Sequence, residues 1–310
     1  MFAAAGARLV LGSRNAESLN EIVREIAEAG GVAHAIPTDV TEREHVEQLA
    51  DAALNYFGRI DTWVNNAGIS IFATFDKLTD EEIRRIMDVN FMGAVYGIQA
   101  ALPRMRAQGE GTIINVASIA GKRAIPLQSI YSASKFAIVG LGESLRAELV
   151  GESAQINICT ICPPSINTPF FDHVLTKEGF APKPMAPVYE PEAVAEAIIS
   201  CAENPRREVV IGSAGKMLTL FNTVAPGLAD WFMGKAGVSG QLTDEPKSSS
   251  EINNLFEIPA DKRERGGWTA RGTREGAEEI PGSNIVTQHP IAASLAGAAA
   301  LALAARLLFR

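Results

Sequence analysis

The chain has 310 residues, of which 47% are hydrophobic and 21% charged, ordinary proportions for one large folded domain with an extension. A net charge of −8 leaves nonspecific nucleic-acid binding without electrostatic support, and three cysteines are too few for a disulfide framework. The first predicted element is a strand over 8–12 (RLVLG). Leu19, Ile22, Val23 and Ile26 then recur at helical spacing over 17–29, and Gly30-Gly31 stops that helix. A second strand over 32–36 exits onto Thr38, Asp39 and Val40, followed by a helix over 42–57 and a strand over 60–65. Helices over 80–90 and on to 108 lead to a strand over 111–118 and to a helix from Tyr131 to about 149. Strands over 155–162 and 208–212 complete the sheet. Strands alternating regularly with helices imply an α/β fold with a doubly wound parallel sheet. Cys159 and Cys162 lie three apart in the 155–162 strand, so they face opposite sides. His34, His45, His173 and His289 are scattered, and no metal or redox site is expected.

Chemistry concentrates in three places. Tyr131 and Lys135 are four apart on a helix, hence on one face. A free tyrosine titrates near ~10, and a neighbouring ammonium favours the phenolate, so Lys135 is expected to lower Tyr131 toward the working pH of a general acid/base. Ser118 ends an apolar β-branched run (GTIINVAS), and Asn65-Asn66-Ala67-Gly68 ends another (IDTWVNNAG). Ligands of open parallel sheets bind outside the carboxyl ends of the strands, which brings both exits to one crevice.

With Asn90 in MDVNFMG and the 163–168 stretch added, residues 3–212 resemble the short-chain dehydrogenase/reductase family in its compact form. The resemblance implies a Rossmann-like core and hydride transfer between a nicotinamide dinucleotide and a carbonyl or secondary alcohol. By resemblance Tyr131 is the proton donor, and Lys135 tunes it and binds the nicotinamide ribose. Ser118 holds the substrate oxygen, and Asn90 anchors a water of the proton relay. Asp39 and Val40 would meet the adenine, Asn66, Ala67 and Gly68 the adenosine half, and Ile166 and Thr168 the carboxamide. Pro163-Pro164 departs from the family's Pro-Gly, so the loop under the nicotinamide must turn differently. A homo-oligomer and a cytoplasmic catalytic domain also follow from the resemblance.

The strand exit at Gly12-Ser13-Arg14 carries no acid, and an arginine there suits a 2′-phosphate, so NADP(H) is favoured and NAD(H) remains possible. The family's opening strand and glycine-rich turn have no counterpart in MFAAAGA. The sheet is therefore expected to lack its first strand, which is central in the doubly wound order, and the protein expressed from Met1 is expected to bind NADP(H) poorly. A non-catalytic binding or scaffold relative is the competing class, and a nucleotide-sugar epimerase or dehydratase fits the C-terminal part poorly.

Residues 1–212 read as the core. The 170–191 stretch, rich in aromatics and proline, reads as a substrate lid for a lipophilic substrate. Beyond the core come an amphipathic extension (213–240) and a polar linker or wrapping arm (241–290). Residues 291–309 read as an apolar helix, either a transmembrane anchor or a helix docked on another subunit, with a disordered tail as the third reading.

Overall fold

The structure, a computed structural model, describes residues 1–259 and 263–274. Strand β1 (Arg8–Ser13), helix α1 (Ala16–Glu28), strand β2 (Val32–Pro37) and helix α2 (Arg43–Phe57) come first. Asn15 caps α1 by accepting from the Ser18 amide, and α2 ends at Gly58, whose φ of 77° suits glycine. Strands β3 (Thr62–Asn65) and β4 (Ile71–Phe72) precede helices α3 (Asp80–Met87) and α4 (Gly93–Gln108). Strand β5 (Glu110–Val116), helix α5 (Ser129–Glu148) and strand β6 (Gln155–Cys162) form the centre. Short elements α6 (Phe170–His173), β7 (Leu175–Thr176) and β8 (Phe180–Pro182) lead to helix α7 (Pro191–Glu203) and strand β9 (Glu208–Val210). Helices α8 (Ser213–Val224) and α9 (Pro226–Phe232) and strand β10 (Leu242–Pro246) follow.

A parallel four-stranded sheet of order β3-β5-β6-β9 carries the core. Its period of two sends alternate residues to opposite faces. Ile113 and Ile158 join Val46, Ala50, Ile98 and Met105 on the side of α2 and α4. Ile114 and Cys159 join Ile198 and Cys201 of α7 on the other. Each such side chain removed from water stabilises the fold by about 1.5–3 kcal/mol. Cys159 and Cys162 fall in separate clusters.

β1 and β2 pair in parallel as a separate sheet. Neither β1 nor β2 is hydrogen-bonded to the four-stranded sheet. A cavity of about 1570 Å³ is lined by Leu9, Val10 and Leu11 of β1, by Trp63 and Val64 of β3, and by residues of the later elements. Phe2 crosses to pack against the cluster around Ile114.

Helix α7 was not anticipated, although Pro191 at its first turn is a start signal. The lid stretch is tied down: β7 pairs with β4, and β8 with β10. The polar stretch after 241 lies against the core through two apolar residues, Leu255 (0% exposed) and Trp268 (2%). Among the described residues no helix is long and apolar enough to cross a membrane. The expected 291–309 helix lies outside the described residues.

Candidate active site

Tyr131 stands on the first turn of α5, with Lys135 one turn later. Lys135 is 3% exposed, and its Nζ donates to the Val116 carbonyl at 3.0 Å, 5.6 Å from the centre of the Tyr131 ring. Burial pulls the Lys135 pKa down to about 8. Burial also pushes the Tyr131 pKa up from its ordinary value, against a Ser118 hydrogen bond that lowers it. The direction is thus opposite to the expected lowering by Lys135. The reason is geometric: the ammonium is turned to the carbonyl at the end of β5, and both groups are withdrawn from water. Tyr131 is accordingly protonated at neutral pH, the state a proton donor requires.

Ser118 follows β5, is 8% exposed, and accepts from the Ala120 amide at 3.1 Å, capping the 3₁₀ turn Ile119–Gly121. That turn sits hard against α5. A Cβ at Gly121 would stand 2.7 Å from the Lys135 carbonyl oxygen. Gly121→Ala is therefore expected to push Ser118 away from Tyr131, destabilising the fold by about 1–3 kcal/mol and lowering turnover. Thermal unfolding and steady-state rates check this, and an unperturbed variant would mean that the turn yields freely.

Asn90 lies in a π-helical turn, Asp88–Met92, between α3 and α4, the kind of irregularity that marks functional sites. Its Oδ1 accepts from the Ile69 amide at 2.8 Å. Its Nδ2 donates to the Ile69 carbonyl at 2.9 Å and to Ser134 Oγ at 3.0 Å. One buried amide thereby joins the strand exit after β3 to the helix that carries Tyr131. Gly68 lies on that exit, where a Cβ would approach Lys135 Nζ at 3.4 Å.

The residues expected to bind a dinucleotide line one cavity with this cluster. Ser13, Arg14, Asp39, Val40, Asn66, Ala67 and Gly68 lie along it, as do Ile166 and Thr168 beside Asn90, Ser118, Tyr131 and Lys135. Burial alone would raise the Asp39 pKa. The Thr41 amide and hydroxyl, at 3.0 and 2.8 Å, together with the Arg85 and Arg14 charges hold it below the usual carboxylate range. Arg14 reaches the expected strand exit, but its guanidinium donates to the carbonyls of Asn254, Phe256 and Glu257. The 163–168 loop is held by backbone bonds to Tyr189 and by Asn167, whose Nδ2 donates to Glu190 and whose Oδ1 accepts from the Trp268 amide.

Two further residues had no sequence signal. Gln128 donates to Gln241 at 2.6 Å, and both are buried and line the cavity 113 positions apart. Near Tyr131 the walls are apolar. Ile125, Met185 and Met233 pack around it, and the Phe170 ring centre is 6.2 Å away.

A profile of the short chain dehydrogenase family matches residues 1–179. An oxidoreductase of Bacillus subtilis named YxnA is 38% identical over 86% of this chain and 77% of its own length. Ketoacyl reductase HetN of a Nostoc species is 32% identical over 73% of this chain and 80% of its own. A metagenomic short-chain oxidoreductase solved in complex with NADP superposes with a TM-score of 0.57 and 28% identity, over 68% of this chain and 87% of that one. With a family profile matched over more than half its length and relatives of this identity, the chain belongs to the short-chain dehydrogenase/reductase family and is an NAD(P)-dependent oxidoreductase.

Proposed function

We propose that the protein reduces the carbonyl of a lipophilic substrate, with Tyr131 as the proton donor. The observation that carries this reading is the cluster at the strand exits: half-buried Tyr131 stands against Ala120, Ile125 and Met233, with Lys135 Nζ 5.6 Å from its ring centre and Ser118 beside it in the same cavity. A bound reduced nicotinamide supplies the hydride. Ser118 positions the substrate oxygen, and Tyr131 passes its proton to that oxygen as the carbonyl carbon becomes tetrahedral, giving a secondary alcohol. Lys135, with its pKa at about 8, holds a proton beside the tyrosine at neutral pH. Asn90 fixes the spacing between the Gly68 turn and α5. Residues 1–212 form the catalytic core in this reading, and the later described residues close it. The HetN resemblance supports an acyl chain bearing a keto group as the substrate class.

Arg14 is the residue on which cofactor preference turns, with NADP(H) favoured when its guanidinium meets the 2′-phosphate. Consumption of NADPH with a panel of 3-keto esters of rising chain length tests the function, with kcat/KM expected to rise with chain length. No turnover on any carbonyl would refute the proposal. Arg14→Asp should move the preference toward NADH by about tenfold or more, and an unchanged ratio of specificity constants would place the phosphate contact elsewhere.

A further inference from the structure

Arg14 is held by a segment some 240 residues away. Its Nη2 donates to the carbonyls of Asn254 at 3.2 Å and Glu257 at 2.9 Å, and its Nη1 to that of Phe256 at 3.3 Å. Arg85 Nε takes the remaining carbonyl of the run, Leu255, at 2.9 Å. The segment is anchored as well as bonded. Leu255 is fully buried among Ile69, Ile71, Ile86, Val89 and Leu175. Its amide donates to Asn253 Oδ1 at 3.1 Å, which shapes the turn. Asn254 lines the same cavity as Tyr131 and Gly68.

A guanidinium has five N–H donors, and it grips a phosphate through one of two forks. The end-on fork pairs Nη1 with Nη2, and the side-on fork pairs Nε with Nη2. Both need an Nη2 hydrogen, and in this structure both Nη2 hydrogens go to backbone carbonyls. The seated segment therefore leaves no bidentate fork open. It also holds three carbonyl oxygens against the guanidinium, and a phosphate drawn to the same donors would be repelled by those acceptors.

We propose that residues 253–257, anchored by Leu255, set cofactor specificity by competing with a 2′-phosphate for Arg14: seated, they occupy its guanidinium, and NADP(H) binds with the segment displaced. This rests on Arg14 being the 2′-position reader, as argued above. A nucleotide that binds only the displaced form loses apparent affinity in proportion to how rarely that form is populated. Loosening the anchor removes that loss for NADPH and leaves NADH nearly unaffected.

The test is titration of the full chain with NADPH and with NADH by tryptophan fluorescence. The parent, Leu255→Ala and Leu255→Met are compared, each with Arg14 intact and with Arg14→Ala. Leu255→Ala is expected to tighten NADPH about tenfold and to change NADH less than about twofold. Leu255→Met, which refills the cluster, should restore the parent ratio, and Arg14→Ala should abolish the gain. An unchanged NADPH:NADH ratio in Leu255→Ala, with NADPH binding still sensitive to Arg14→Ala, overturns the role of the segment and leaves Arg14 as the reader. Indifference to Arg14→Ala in every background overturns both. Hydrogen exchange on the unmutated chain checks the same point without a substitution. Amides of 253–257 should lose protection on NADPH saturation and keep it on NADH, and protection that rises with NADPH refutes the proposal.

Discussion

Tyr131→Phe is expected to lower kcat by about a thousandfold, within the range that a positioned general acid contributes, while NADPH and NADH dissociation constants stay within about twofold. The substitution keeps the ring among Ile125, Met185 and Met233 and removes only the hydroxyl. It also removes the hydrogen bond with Ser118, so Ser118 keeps only the Ala120 amide and the Pro163 carbonyl as neighbours. Loss of turnover with cofactor binding intact separates a proton donor from a residue that merely shapes the pocket. A variant with parental kcat would show that the proton comes from another group. The pH profile adds a second readout. Because burial raises the Tyr131 pKa, reduction should persist to higher pH than a tyrosine tuned downward by Lys135 would allow.

Lys135→Met is expected to stabilise the fold at pH 7 while impairing catalysis. Burial lowers the Lys135 pKa from 10.5 to about 8, which corresponds to roughly 3 kcal/mol of penalty for keeping a charge out of water. Against that stands the hydrogen bond to the Val116 carbonyl, worth about 1 kcal/mol, so the net gain is about 2 kcal/mol. The pH dependence fixes the sign. Between about 8 and 10.5 the unfolded chain binds a proton at this lysine that the folded chain does not, so stability rises with pH across that window. From about pH 8 upward the buried thiols act the other way. Cys159, raised to about 11, and Cys162, raised to about 12, keep protons that the unfolded chain gives up. The parent should therefore gain only about 0.5 kcal/mol from pH 7.5 to 9 and then turn down, whereas Lys135→Met should fall across the same range. Denaturant unfolding at stepped pH measures both. A parent curve that falls through pH 8–9 would mean that Lys135 is neutral or solvated in the folded state. A charge retained at this cost in stability fits a group kept for function.

The regular core was legible because its signals are local. Hydrophobic period and glycine stops place β1, α1, β2 and α2 within a residue or two of where they stand. The period of two in β6 separates Cys159 from Cys162 without any knowledge of neighbours. The site was legible for a related reason. In a parallel sheet the strand exits share one edge, so Gly68 and Ser118 come to the helix that carries Tyr131 and Lys135, with Asp39 lining the same cavity. The protonation states were not legible. They depend on where Lys135 Nζ points and on how deeply it lies, which spacing along a helix does not specify.

The sequence by itself determined the order of the core strands and of the helices up to α5, the doubly wound class and the set of polar residues around one crevice, because periodicity and strand-exit chemistry act over a few residues. Only the tertiary structure decided what becomes of isolated apolar residues in polar surroundings. Leu255 and Trp268 have no periodic partners, yet both are buried, and their burial depends on surfaces 80 or more residues away in the chain. The same holds for Arg14, which composition marks as a phosphate ligand and which folding gives to three carbonyls of the C-terminal arm. Contacts of that separation are set by the packing of whole elements, and no local pattern of residues encodes them.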